Sequence, residues 1–336
     1  MRSDGRYYFL DTLKIICTLL IMFHHYQQCF EVRFSEVNFY GGLFNCGYLV
    51  ELFFMISGFL AANSIQRRPK PVVKDFVHRA LRLYPMAIVT CGYFLLLYFG
   101  YTNFMGAWIF PQESHDLPNI VRSFLLLPQP EGEFTLNNPT WYLAGLIQCF
   151  IVMEACRKFA QHFPQWKNAL FYIVFVTSSL CLITNLPHPF IILRALVPFF
   201  AGILLREAFQ QEGFREKGRK LAVLTLLLSV GLCFAKIDFF LGNGRVQQLL
   251  LVFMIYPSLL FLGITSRRII NNDDIYIYIY IYIIYFIYLV RRIFMAFSHL
   301  CDLHRLLYTH VQCRDFRSWR YDRPGHSGII SVGCVV

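Results

Sequence analysis

Four ionisable residues stand in one apolar stretch near the start of the chain, LDTLKIICTLLIMFHHY at 10–26: Asp11, Lys14, His24 and His25. An ionisable group in an apolar helix is costly unless it faces a protein interior, so each of them needs a reason to be there. On a helix the 11 steps from Lys14 to His25 return to within about 20° of the same direction, roughly 16 Å further along the axis. The two therefore point into one seam, with His24 about 80° off that line and Asp11 supporting the lysine from the preceding turn. A fixed positive charge and a side chain that takes up protons near neutral pH are the parts of an acid–base site. Taken singly, Lys14 also reads as a lysine snorkelling to an interface and His25 as an interfacial histidine; their shared face favours the site.

Further candidates follow along the chain. In HRALRLYP, 78–85, Arg79 and Arg82 are three apart, on one turn of the helix expected there. Such a pair matches phosphate oxygens, or else anchors the chain at a membrane face. In ELFFMISGF, 51–59, Ser57 and Gly58 are small enough to let helices approach closely. Trp141 and Tyr142 open an apolar run, either as interfacial anchors or as an aromatic stacking platform for a ligand. Arg194, just inside another run, either snorkels outward or contacts a substrate. The 11 cysteines show no CxxC and no clustering with histidine, so neither a disulfide framework nor a metal site is expected.

The elements that must hold these residues are membrane spans. The 336 residues are 57% hydrophobic and only 15% charged, against about 25% charged in soluble domains. Apolar runs place spans at about 8–26, 43–65, 83–100, 139–156, 168–186, 190–205, 221–236, 247–265 and 275–290. The fold class expected is thus all-α, a polytopic integral membrane bundle with about nine recognisable spans. The polar residues within the first run argue for a retained span rather than a signal peptide. The formal charge of +11 raises the question of a nucleic-acid partner. Its placement answers it: alternate loops hold 18 basic residues on one side and 3 on the other. That is a positive-inside pattern, which puts the N-terminus in the cytoplasm and sets no nucleic-acid partner. The prolines of the long outer segment, 101–138, argue against a long helix there.

Together these motifs resemble acyltransferase family 3, the integral membrane O-acyltransferases of surface polysaccharides and related acceptors. The resemblance covers about 9–270. Lys14 and His25 match the family's basic residue and histidine separated by ten positions, with lysine in place of the commoner arginine. ELFFMISGF resembles the second-helix FFxxSG signature, HRALRLYP carries the RxxR pair with Tyr84 and Pro85, and NNPTWYLAGL is similar to the Pro-Thr-Trp-Tyr-Leu start of a later helix, here Pro139 to Leu143. The resemblance implies a ten-span bundle in the cell membrane, with no permanently bound cofactor. It implies transfer of an acyl group, usually acetyl, from cytoplasmic acyl-CoA to a hydroxyl of an extracytoplasmic glycan or glycolipid. Under it, His25 is the candidate general base, Lys14 and Asp11 orient the site or polarise the thioester, and Arg79, Arg82 and Lys14 dock the donor's phosphates. Trp141, Tyr142 and Arg194 are candidate acceptor contacts.

The chain divides into a membrane domain, 1–272, an Ile/Tyr tract, 273–290, and a basic tail, 291–336. The strict Ile–Tyr alternation of 275–282 is what an alternating AT tract encodes, and slippage there would place the tail out of frame. Two other readings stand beside the enzyme: a glycolipid or polysaccharide-precursor transporter, against which no inverted repeat is visible, and an inactive, truncated acyltransferase.

Overall fold

Backbone groups inside lipid must be satisfied within their own segment, and the computed structural model meets that requirement with helices. It describes residues 8–30, 38–41, 45–67, 71–106, 115–127, 136, 140–184, 192–211, 213–235 and 244–265, all within one compact unit, Met1–Leu289. The ninth predicted span and the 291–336 tail lie outside the described residues. The elements are α1 (Tyr8–Phe30), a 3-10 turn (Cys46–Tyr48) leading into α2 (Leu49–Arg67), α3 (Val72–Met105), α4 (Leu117–Leu125) and α5 (Thr140–His162). A second 3-10 turn (Pro164–Trp166) precedes α6 (Lys167–Thr184), α7 (Ile192–Ala208) and α8 (Phe214–Ala235). Last come α9 (Gly244–Leu250), a π-helical turn (Leu251–Ile255) and α10 (Tyr256–Thr265).

Each of the first eight predicted spans coincides with a helix or, for the eighth, with the α9–α10 pair. Among the described residues four stretches are long and apolar enough to cross a bilayer: Phe9–Gln28, Cys46–Ile65, Val72–Met105 and Val246–Thr265. The chain is an all-α membrane bundle. Hydropathy places the third span at 83, whereas α3 begins at Val72, because the polar turns before 83 continue the same helix. Its 34 residues rise about 51 Å, against a hydrocarbon core of about 30 Å. Within the proline-rich 101–138 segment the nine-residue α4 forms. Asp116 caps it, accepting from the Asn119 amide at 3.1 Å, and Pro118 lies in the first turn, where its missing N–H costs nothing.

Side-chain partners fix the helix directions. Glu51 meets Arg194 and Asn63 meets Arg206, so α2 and α7 run parallel. Trp141 lies by Arg194, while Arg157, further along α5, reaches Asp75 at the start of α3. Gly263 at the end of α10 lies against Phe9 at the start of α1. The bundle therefore has a near end, where α1 starts, and a far end, where α1 finishes.

The core is centred on α2, whose span is 67% buried against 28% for α3. Gly58 makes this possible, since a Cβ there would overlap the carbonyl of Phe199; reciprocally, a Cβ at Gly202 of α7 would overlap the carbonyl of Met55. The two helices touch backbone to backbone, as small residues in membrane helices allow. Outward faces are apolar instead, with Leu96 of α3 and Leu227 of α8 largely exposed, as lipid-facing positions require. Gly58→Val is expected to destabilise the fold by about 1–3 kcal/mol through overpacking. Thermal unfolding in detergent measures this, with Gly92→Ala as control, because nothing lies within 4 Å of a Cβ at Gly92.

Candidate active site

The buried stripe of α1 carries polar groups at both of its ends. At the near end Lys14 Nζ lies 3.8 Å from Asp11 Oδ1, both side chains buried. Two buried charges spaced i, i+3 are tolerated in an apolar bundle because they neutralise one another. At the far end His24 is buried and His25 half-buried. His24 Nδ1 is 3.0 Å from the Phe39 carbonyl, which can only accept, so Nδ1 carries the proton. His25 Nδ1 meets Gln28 Oε1 at 3.2 Å, which leaves Nε2 of the neutral ring with its lone pair. The two rings meet edge to face with centroids 5.1 Å apart. Lys14 and His25 thus share a stripe and are not brought together; about 16 Å of helix separates them.

A short strap holds the far end of α1. Gln27 Oε1 accepts from the amides of Phe39 and Tyr40 at 2.6 and 3.0 Å. The Phe23 and Phe39 rings stack at 5.4 Å, and the Tyr40 ring meets His24 at 5.2 Å. On its other side His24 presses on Gly47, where a Cβ would come within 2.9 Å of Nε2. Only glycine fits there, so the turn before α2 closes directly onto the imidazole.

Beside the histidines lies a buried ion pair. Arg194 Nε and Nη2 donate to Glu51 Oε1 at 2.9 and 2.7 Å, and Gln248 Nε2 donates to the same oxygen at 2.8 Å. Glu51 is fully buried, and its Oε2 has no hydrogen-bond partner among the described residues. The guanidinium carbon of Arg194 sits 5.0 Å from the Trp141 ring centre and 5.9 Å from that of Tyr48. The Tyr48 carbonyl accepts from Tyr256 Oη at 2.8 Å. Arg194 is joined to the histidines through the turn before α2, since Tyr48 lies under its guanidinium and Gly47, the residue before, lies against the His24 ring. Arg194 thus turns to a buried acid rather than snorkelling outward. Trp141 stacks on it, while Tyr142 is buried, bonded to Ser57 and packed on Phe54 at 4.7 Å. The Ser57 hydroxyl is therefore a partner for α5 as well as a small packing residue.

The near end holds the arginines. Arg79 Nη2 donates to Asp75 Oδ2 at 3.2 Å, and Arg157 Nη1 from α5 reaches the same oxygen at 3.1 Å. Arg157 also bonds both oxygens of Glu154, at 2.7 and 2.6 Å. Arg79 lies over the Phe150 ring at 5.2 Å. Arg79 is thus tied into a network of two acids and two arginines, and Arg82, three residues on, is half-buried. A cavity of about 250 Å³ opens at this end, lined by Ala62, Ile65, Met153, Arg157, Phe171 and Glu207 among others.

Sequence reasoning missed Glu51, Asp75, Glu154 and Arg157. A signal for Glu51 was present: an acid inside an apolar span requires a cation, and Arg194 is one on another span. Asp75, four residues before Arg79, is likewise a helical ion-pair spacing. What could not be read is that Arg157, counted among loop charges, belongs to the same network.

A family model described as an acyltransferase domain matches residues 7–309, so the match runs through the Ile/Tyr tract and into the start of the tail. No curated protein and no solved structure matches the chain. The near-end network yields a stability test. Asp75→Ala leaves Arg79 and Arg157 facing each other without the acid they share, and is expected to cost about 3–5 kcal/mol. Unfolding of the detergent-solubilised variant, compared with wild type, checks it.

Proposed function

The chain belongs to acyltransferase family 3, and from that premise we propose that it moves an acyl group, acetyl in kind, from acyl-CoA to a hydroxyl of a glycan or glycolipid across the cell membrane. The observation that carries this reading is α1, one apolar helix with a buried acid–lysine pair at its near end and a half-buried histidine at its far end. The surplus of basic residues in the near-end loops supports a cytoplasmic near end, where acyl-CoA is found. The far end then faces the extracytoplasmic acceptor.

In this reading the donor's phosphates dock at the near end, against Arg82, Lys14 and the Arg79 network. Its flexible arm carries the thioester along α1 towards the histidines. His25 is the general base: with Nδ1 turned to Gln28, its Nε2 takes the proton of the acceptor hydroxyl as that oxygen attacks the carbonyl carbon. Lys14 acts as a point charge, since it lacks the forked geometry of arginine, and Asp11 holds it. Trp141, with one face on Arg194, offers a stacking surface to a sugar. No permanently bound cofactor is required, because the donor brings the activated group.

The test is transfer of label from acyl-CoA to membrane glycan. His25→Ala is expected to lower it by about 10²–10⁴-fold at equal protein level. Wild-type transfer in that variant overturns the assignment, and export of unmodified glycan without label transfer would point to transport instead.

A further inference from the structure

Acyl transfer needs a donor aimed at the carbonyl oxygen of the thioester, because negative charge collects there in the transition state. Lys14 stands about 16 Å along α1 from His25 and cannot serve a carbonyl under attack beside that histidine. Arg194 lies at the histidine end: its guanidinium carbon is 5.9 Å from the Tyr48 ring, the neighbouring Gly47 abuts the His24 ring, and that ring meets His25. We propose that Arg194, held in position by Glu51, polarises the thioester carbonyl and stabilises the oxyanion of the tetrahedral intermediate. This rests on the acyl-transfer reading above and deepens it.

Three features of the pair fit the role. First, the guanidinium is preorganised: Nε and Nη2 are committed to Glu51 Oε1, the plane is fixed beside Trp141, and the remaining amino group, Nη1, takes no part in that pair. Fixed donors cost no reorganisation when charge develops. Second, the Arg194 side chain keeps 33% exposure although its partner is fully buried. Third, Glu51 Oε2 is a buried acceptor with no donor among the described residues. Such an atom calls for an explanation, and an N–H or O–H of bound substrate supplies one. A purely structural tie between α2 and α7 would need neither a part-exposed arginine nor a spare acceptor, and the glycine contacts already join those helices.

The step balances. The acceptor hydroxyl gives its proton to His25 Nε2 as its oxygen bonds the carbonyl carbon. The carbonyl π pair moves onto oxygen beside Arg194. Collapse restores the carbonyl, breaks the carbon–sulfur bond, and the leaving thiolate takes the proton from His25. Arg194 is a catalytic residue in this scheme and Glu51 a positioning residue.

The test uses the full-length protein in detergent or nanodiscs with labelled acetyl-CoA and a hydroxyl acceptor. Arg194→Gln is expected to lower kcat by about 10²–10³-fold with little change in the donor KM. Because it leaves Glu51 buried and unpaired, its stability also falls, so the decisive variant is Glu51→Gln with Arg194→Gln, which replaces the pair by two neutral amides. Stability should return towards wild type while kcat stays as low as in Arg194→Gln. If turnover recovers with stability, the pair is structural and the inference is overturned. Arg194→Gln with wild-type kcat, alongside a dead His25→Ala, overturns this inference alone. Wild-type protein that moves no label overturns the acyl-transfer reading and this inference with it.

Discussion

A charge inside an apolar bundle must find its counter-charge inside the same bundle, and that constraint organises this molecule. Glu51 on α2 is fully buried and meets Arg194 on α7; Asp75 on α3 meets Arg157 on α5; Lys14 meets Asp11 within α1. The first two pairs reach from one helix to another. Replacing such a pair by apolar residues is often neutral, but removing one partner costs about 3–5 kcal/mol. The pairs therefore fix which helices are neighbours and in what register more than they add to net stability.

The apolar contacts follow the same register. Arg194 can reach Glu51 only if α2 and α7 lie close and parallel, and Gly58 and Gly202 let their backbones touch. One turn beyond Glu51, the Phe54 ring fills the space left by Gly145, and Tyr142 reaches across to Ser57. The FFxxSG and Trp-Tyr motifs are thus two halves of one packing arrangement between α2 and α5, and this arrangement delivers Trp141 to the face of Arg194.

The fold was readable because hydropathy reports the lipid environment directly: every span predicted within the described residues has its helix. It misjudged α3, since a helix can continue past the apolar stretch that reveals it. The helical phase of α1 puts Lys14 and His25 on one stripe, but periodicity carries no information on depth, and of the two histidines His24 is the more buried. Which residues pair across the site over long range was not legible. Glu51 and Arg194 are 143 residues apart, and Asp75 and Arg157 are 82 apart; no spacing rule joins residues on different helices. The intramembrane acid itself was the readable clue, because its cost demanded a partner.

The two polar ends of α1 are joined by a run of apolar and small residues, with Cys17 and Ile21 buried between Lys14 and His24. In that run only Cys17 and Thr18 carry a side-chain proton that could exchange, too few to bridge a separation of about 15 Å, so α1 alone does not form one relay from the lysine to the histidines. Any chemistry that uses both must bring a substrate long enough to touch each end. An extended donor with an anionic head and a reactive tip has that shape, with its charge held near Lys14 and its tip beside His25. A compact polar solute would instead need a continuous polar path, and the apolar middle of α1 supplies none on its own face. The two cations accordingly stand apart, Lys14 at the near end about 16 Å along α1 from His25 and Arg194 at the far end against Glu51.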